Sequence, residues 1–257
     1  MFADHVKRLS RFKEQQFNTK NDFQYLNELD QYFNDSVGSN VEKLQNFAKY
    51  VPRQDLTNFI ARYEIFKKIL NIPGSIIECG VLFGGGLMTF AQLSAILEPV
   101  NFERKIIGFD TFSGLTKLSR CDLLSSSDQA YEKAFAVDSF KDIEKCIRVF
   151  DKNRFLSHFP KIEIIKGDAT KTIPSYLQKN PSTMVSLMYL DFILYKPTKI
   201  ALEQIVPRMP KGGIIAFNML NDKHWPGVTK AIVDTIGIRD LSFKRFSFTP
   251  YTQYLIL

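Results

Sequence analysis

The sequence is short of cysteine, and the three present, Cys79, Cys121 and Cys146, are odd in number, far apart and outside any CxxC or Cys/His cluster. That spacing argues against a disulfide framework and a zinc site, and for reduced thiols. Long apolar runs are missing too: no stretch approaches the roughly 18 uninterrupted apolar residues of a membrane span. The opening MFADHVKRLSRFKEQQ carries no apolar segment of signal-peptide length. No membrane partner is expected, and a cytoplasmic location is. Nor does charge of one sign dominate any segment. The net charge of +7 comes from 34 Lys and Arg interleaved with 27 Asp and Glu. It reads as solubility and attraction for anionic ligands rather than as a nucleic-acid surface.

With 257 residues, 45% of them hydrophobic, the chain can bury one good core with a small accessory subdomain. Residues 1–70 lack strand patterning and carry helix-spaced runs at Phe23 to Phe33, Val41 to Val51 and Leu56 to Leu70, which predicts a helical N-terminal cap. From Ser75 the character changes, as short runs rich in Ile and Val alternate with helical segments. That is the signature of a parallel α/β sheet, here spanning residues 71–257. Strands are expected at Ser75 to Cys79, Lys105 to Asp110, Ile162 to Lys166, Met184 to Asp191 and Gly213 to Asn218. An antiparallel hairpin of Leu241 to Phe248 and Thr252 to Leu257, turning at Pro250, closes the domain. The polar stretch Ser113 to Tyr131, with Ser125, Ser126 and Ser127, reads as a long loop over the sheet's functional edge.

In an open parallel sheet, ligands bind at the carboxyl ends of the strands. The first strand ends in Glu78-Cys79-Gly80-Val81-Leu82-Phe83-Gly84-Gly85-Gly86, followed by a helix over Leu87 to Leu97. Glycines there let the backbone approach a ligand, and the helix N-terminus offers free N–H groups. Tight packing explains the glycines equally well, and the pattern is not GxGxxG. Glu78 at the turn, with no basic residue beside it, argues against a pyrophosphate and can pair indirectly with an ammonium group.

The second strand ends in Asp110-Thr111-Phe112, where Asp110 is placed to accept from ribose hydroxyls. The third ends in Gly167-Asp168-Ala169, where Asp168 serves either an adenine amino group or a helix N-cap. The fourth delivers Asp191 as a general base, a metal ligand or an ammonium partner. His224 follows the fifth strand as either a base near neutral pH or a loop residue facing solvent, the latter reading being favoured. His158, beside Phe155 and Phe159, reads as packing, and His5 as surface.

Taken together these residues resemble the macrocin O-methyltransferase-like (TylF-type) family of class I S-adenosylmethionine-dependent methyltransferases, in particular its members that decorate the sugars of antibiotics. The resemblance runs from about Leu56 to Leu257, through Ile77 to Val81, Phe109 to Phe112, Gly167 to Ala169, Leu190-Asp191 with Tyr195, Pro197 and Thr198, and Trp225-Pro226-Gly227. It implies a Rossmann-like fold with a mostly parallel seven-stranded sheet, and S-adenosylmethionine as cofactor. It also implies O-methylation of a sugar or glycosylated small molecule, in a homodimer or larger homo-oligomer. Glu78, Gly80, Val81 and Gly84 to Gly86 would then cradle the methionine portion. Asp110, Thr111 and Phe112 would meet the ribose, Gly167, Asp168 and Ala169 the adenine, and Asp191 the acceptor.

Relatives of this kind carry acids where this chain has Ile193, Asn218, Met219 and Val228, which leaves Asp191, Asn218 and at most Asn221 as poor ligands for magnesium. Weak or absent metal dependence is therefore expected, with Asp191 or His224 taking the proton. The same losses motivate a second reading, a cofactor-binding scaffold without transferase activity. A nucleic-acid methyltransferase is a third, weakened by Leu190-Asp191-Phe192-Ile193 standing where an Asn/Asp-Pro-Pro-aromatic motif would be expected.

Overall fold

The computed structural model describes residues 19–128 and 130–257. His5 and the first 18 residues of the expected cap lie outside the described residues. Three helices lead, α1 (Lys20–Asp35), α2 (Asn40–Gln45) and α3 (Arg53–Ile69). The first two start at capping boxes, Thr19 with Asp22 and Ser39 with Glu42, in which hydroxyl and carboxylate satisfy each other's orphan backbone N–H.

An alternating series follows: β1 (Ser75–Cys79), α4 (Gly85–Leu97), β2 (Ile106–Asp110), α5 (Phe140–Asp151), β3 (Ile162–Lys166), α6 (Ala169–Lys179) and β4 (Val185–Leu190). It continues with α7 (Tyr195–Ile205), β5 (Ile214–Phe217), α8 (Pro226–Thr235), β6 (Lys244–Phe246) and β7 (Thr249–Ile256). The strands form one seven-stranded sheet in the order β3-β2-β1-β4-β5-β7-β6. Strands β1 to β5 run parallel, while β7 is antiparallel to β5 and to β6.

Central strands β1 and β4 are buried along their whole length, as parallel strands covered on both faces must be. Side-chain alternation splits the core. Ile76 packs with Ile65, Phe66, Leu87 and Phe90 of α3 and α4, and Ile77 with Ile173, Leu202 and Ile232 of α6, α7 and α8. Helix α3, read as part of the cap, thus supplies fully buried core residues. At the amino end of the sheet a buried arginine ties α3 to the strands. Arg104 donates to the carbonyls of Ile69 (3.0 Å), Ile72 (3.1 Å) and Gly74 (2.8 Å), to Ser186 Oγ (2.5 Å), and to the Glu98 carboxylate (2.8 Å).

The hairpin differs from the sequence reading. Its turn lies before Thr249, and Pro250 is the second residue of β7. The β6–β7 register slips between Arg245 and Phe246, so the proline falls at an irregularity where a ladder N–H is not required. Residues Leu241 to Phe243 stay outside the strand, and β6 exposes Lys244 and Arg245 along the sheet edge, which discourages further strand pairing. Among the described residues, no helix is long and apolar enough to cross a membrane.

Candidate active site

A cavity of about 590 Å³ opens at the carboxyl ends of β1 to β5. The sheet order reverses beside β1, whose neighbours are β2 and β4, and this switch point leaves a crevice between the outgoing loops. Gly80 and Leu82 line it from the β1 turn, Asp110 and Thr111 from β2, and Gly167, Asp168 and Ala169 from β3. Asp191 to Leu194 line it after β4, with Asn218, Met219, Asp222 and Trp225 after β5. The long connection after β2 contributes Gly114, Leu115, Thr116 and Phe135, in keeping with its reading as a loop over the edge. Helix α3 adds Gln54, Asp55 and Asn58, α1 adds Asp22, and β7 adds Tyr251.

Local geometry explains why these residue types stand there. Gly80 has φ +99°, and a Cβ on it would stand 2.6 Å from the Asp191 carbonyl oxygen, so only glycine lets β1 leave the sheet this close to β4. Asp110 organises the turn that follows. Its Oδ2 accepts from the N–H groups of Val81 (2.7 Å) and Leu82 (2.9 Å), and its Oδ1 accepts from Phe112 (2.8 Å). Asp168 is the N-cap of α6, accepting from Thr170 N–H at 2.9 Å while lining the cavity, so both readings of this residue hold a structural footing. Leu82, Ile193 and Met219 all carry positive φ without being glycine. Backbone strain of this kind collects where a site over-determines its loops.

Two carboxylates are raised here, Glu78, which is buried, and Asp191, which is half-buried on the cavity wall. Glu78 is pushed up to about 7 by burial, with Arg62 pulling it down and Asp191 and Asp110 adding to the rise. Burial also pushes Asp191 up to about 7, against the pull of Arg62 and of the hydrogen bond from Asn218. That bond runs from Asn218 Nδ2 to Asp191 Oδ2 at 3.0 Å, while Asn218 Oδ1 accepts from Tyr189 Oη at 3.0 Å.

Several expected residues stand back from the cavity wall. Val81 and Phe112 are buried, Gly84 to Gly86 cap α4, and Glu78 lies beneath the turn. His224 is buried too. Its Nδ1 and backbone N–H both engage Asp222 Oδ1, at 2.9 Å and 2.7 Å, and Ser125 Oγ donates to its carbonyl. Asp222 is the member of that pair on the wall, which corrects both earlier readings of His224, as a base reaching the acceptor directly and as a loop residue facing solvent. His158 sits on the surface with its ring 4.3 Å from that of Phe159. Val228 is core, whereas Ile193, Asn218 and Met219 line the cavity. The sequence reading missed Asn58, Leu82, Trp225 and Tyr251 as lining residues. Leu82, inside the turn after β1, and Trp225, the lone tryptophan, stood within stretches the sequence marks, whereas Asn58 and Tyr251 carried no signal.

The donor set fits a cofactor with a cationic amino-acid end. Glu78 Oε2 is buried and has no hydrogen-bond partner among the described residues, and the carboxylates of Asp110 and Asp168 stand at the neighbouring strand ends. It does not fit a divalent ion. The Asn218 amide is spent on Asp191 and Tyr189, and among the described residues no three of His, Cys, Asp or Glu are grouped so as to hold an ion that wants several oxygens.

The macrocin-O-methyltransferase (TylF) family matches residues 20–239. The chain belongs to that family. Among solved structures, the calicheamicin methyltransferase CalS11 is 30% identical over 93% of each chain, with a TM-score of 0.89. An apo structure of CalS11, described as a TDP-rhamnose 3′-O-methyltransferase, is 28% identical over 93% of this chain and 95% of that one, with a TM-score of 0.81. The O-methyltransferase NovP shares the fold, at 16% identity over 78% and 79% of the two chains and a TM-score of 0.59. No curated protein matches the chain by sequence. This TylF-family protein is an S-adenosylmethionine-dependent O-methyltransferase with the Rossmann-like class I fold, and neither the scaffold nor the nucleic-acid reading is favoured.

Proposed function

We propose that this TylF-family enzyme methylates a hydroxyl of a sugar or glycosylated small molecule, and that Asp191 takes the hydroxyl proton. The observation that carries the assignment is the Asp191 carboxylate, held by Asn218 on the cavity wall and brought by burial to about 7, where a general base works best at neutral pH. CalS11, the relative with the higher overlap, is described as acting on a sugar, which supports the acceptor class. Bound S-adenosylmethionine supplies a methyl group on a positively charged sulfur.

In this reading Gly80 and Leu82 shape the turn against the methionine portion, with Glu78 beneath it. Asp110 and Thr111 meet the ribose, and Gly167, Asp168 and Ala169 the adenine. Leu115, Trp225, Tyr251 and Asn58 form the acceptor wall and exclude water, and His224 acts from behind by orienting Asp222. Since Asn218 presents a donor to Asp191, transfer proceeds without magnesium. We further assign residues 1–70 to a cap that closes over the acceptor and pairs with a second copy, in keeping with Val41, Leu44 and Phe47 being exposed on it. Residues 71–257 then form the cofactor-binding domain, working in the cytoplasm.

The test is turnover of S-adenosylmethionine with a panel of nucleotide-linked and already attached sugars, in chelator and then with magnesium. Methyl transfer to a sugar in chelator is expected. Transfer only with added magnesium would overturn the metal-free assignment, and no transfer to any sugar would overturn the acceptor class.

A further inference from the structure

Asp191 is held from behind by residues on three neighbouring strands. Strands β4, β5 and β7 lie side by side, with Leu190 opposite Phe217 and Phe217 opposite Gln253. One step further along each strand, the same register sets Asp191 beside Asn218 and Asn218 beside Thr252. Tyr189, two residues before Asp191, shares its face of the sheet. Neither Tyr189 nor Thr252 lines the cavity, and both are fully buried.

Their hydroxyls meet on one atom. Tyr189 Oη donates to Asn218 Oδ1 at 3.0 Å, and Thr252 Oγ1 lies 3.3 Å from both that oxygen and Tyr189 Oη. On its other side Asn218 Nδ2 donates to Asp191 Oδ2 at 3.0 Å. An ionised carboxylate only accepts, so the amide must turn its nitrogen to Asp191, and its oxygen is left for donors. The two hydroxyls supply them, and an amide engaged at both ends has one orientation. The Tyr189 ring is itself fixed, with the Arg62 guanidinium 4.4 Å from its centroid and the Phe90 ring edge-on at 5.9 Å. Burial holds the Tyr189 phenol above its ordinary range, so it stays a donor.

We propose that Tyr189 and Thr252 are positioning residues for methyl transfer: by fixing the Asn218 amide they hold the Asp191 carboxylate with Oδ2 engaged and Oδ1 turned to the cavity. The inference rests on Asp191 as the base and names what aims it. Without the two hydroxyls the amide is free to turn, and its oxygen then faces a carboxylate that repels it. The carboxylate is no longer aimed.

Calorimetry with two ligands reads that aim without needing an acceptor. Sinefungin carries an amine on the carbon that replaces the sulfonium sulfur, in the place of the transferred methyl, and S-adenosylhomocysteine carries nothing there. In mildly alkaline buffer, which keeps Asp191 ionised, Asp191→Asn is expected to weaken sinefungin about 10-fold or more, as for loss of a charged hydrogen bond, and S-adenosylhomocysteine by only a few fold. The double variant Tyr189→Phe, Thr252→Val keeps both shapes without the hydroxyls. It is expected to weaken sinefungin about 3- to 10-fold while S-adenosylhomocysteine holds. Should the double variant not fold, each single variant carries the same comparison with a smaller expected loss. An equal loss for both ligands would reduce the two residues to packing and overturn the proposal, as would no loss for either. If Asp191→Asn itself left sinefungin unchanged, the placement of Asp191 as the base would fall instead, and binding of neither ligand by the wild-type protein would overturn the cofactor assignment.

Discussion

The Asp122 carboxylate accepts the backbone N–H of Tyr195 at 2.9 Å, across 73 residues of sequence. Leu194, at the N-cap position of α7, has no side chain to offer the orphan donors of that helix. A buried aspartate from the loop after β2 takes the role and pins the loop to the helix behind Asp191. Asp122→Ala is expected to cost about 1–2 kcal/mol in urea unfolding, as for loss of an N-cap. It is also expected to raise the acceptor KM more than that of S-adenosylmethionine, because Leu115 and Thr116 in the same loop line the cavity. Equal changes in the two KM values would detach the loop from acceptor binding.

Replacing the base separates chemistry from binding. Asp191→Asn keeps the shape and is expected to lower kcat about 10²- to 10⁴-fold, the usual contribution of a general base. The affinity for S-adenosylhomocysteine should change by only a few fold, measured by calorimetry beside single-turnover rates. A variant that turns over at the wild-type rate would require another base.

Stability and ligand binding should respond to pH in opposite directions. Glu78 and Asp191 are both raised to about 7, so folding favours their protonated forms. Their contribution to stability is full below the unfolded carboxylate range near about pH 4, and is lost as pH rises through about 7. An ammonium beside Glu78 favours its ionised form, so affinity for S-adenosylhomocysteine should climb over the same interval. Thermal melts with and without S-adenosylhomocysteine, between about pH 5 and 8.5, should show a ligand-induced shift that grows with pH. A shift independent of pH would place the titrating groups away from the ligand.

Gly80→Ala tests the close approach of β1 to β4. The added Cβ meets a backbone oxygen rather than a yielding side chain, at a φ that alanine resists. A loss of about 2 kcal/mol or more is expected in urea unfolding, with weakened S-adenosylhomocysteine binding because the displaced carbonyl belongs to Asp191. Near-neutral stability would mean that the turn relaxes and the approach is not required.

The sheet was legible because its information is local. Ile and Val runs ending at Cys79, Asp110 and Lys166 coincide with observed strand ends, and the acids beside them mark the crevice. The hairpin turn was misplaced because Pro250 reads as a breaker until strand register shows that its missing N–H costs nothing there. His224 reads from the sequence as a base or, by preference, a solvent-facing loop residue, and only packing shows it buried behind Asp222, which lines the cavity in its place. Arg62 stayed invisible for a different reason. A lone arginine in a helix reads as surface, and only tertiary packing reveals Glu78, Tyr189 and Phe90 around it.

Arg104 acts as a fulcrum. Its bonds to the carbonyls of Ile69 and Ile72 clamp one end of α3, while Gln54 and Asn58 at the other end lie against the cavity. The 17 residues of α3 make a rod of about 25 Å, so a tilt of about ten degrees moves the cavity end by about 4 Å. A residue at the amino end of the sheet thus fixes the bearing of a helix whose other end walls the crevice, without touching anything that enters it.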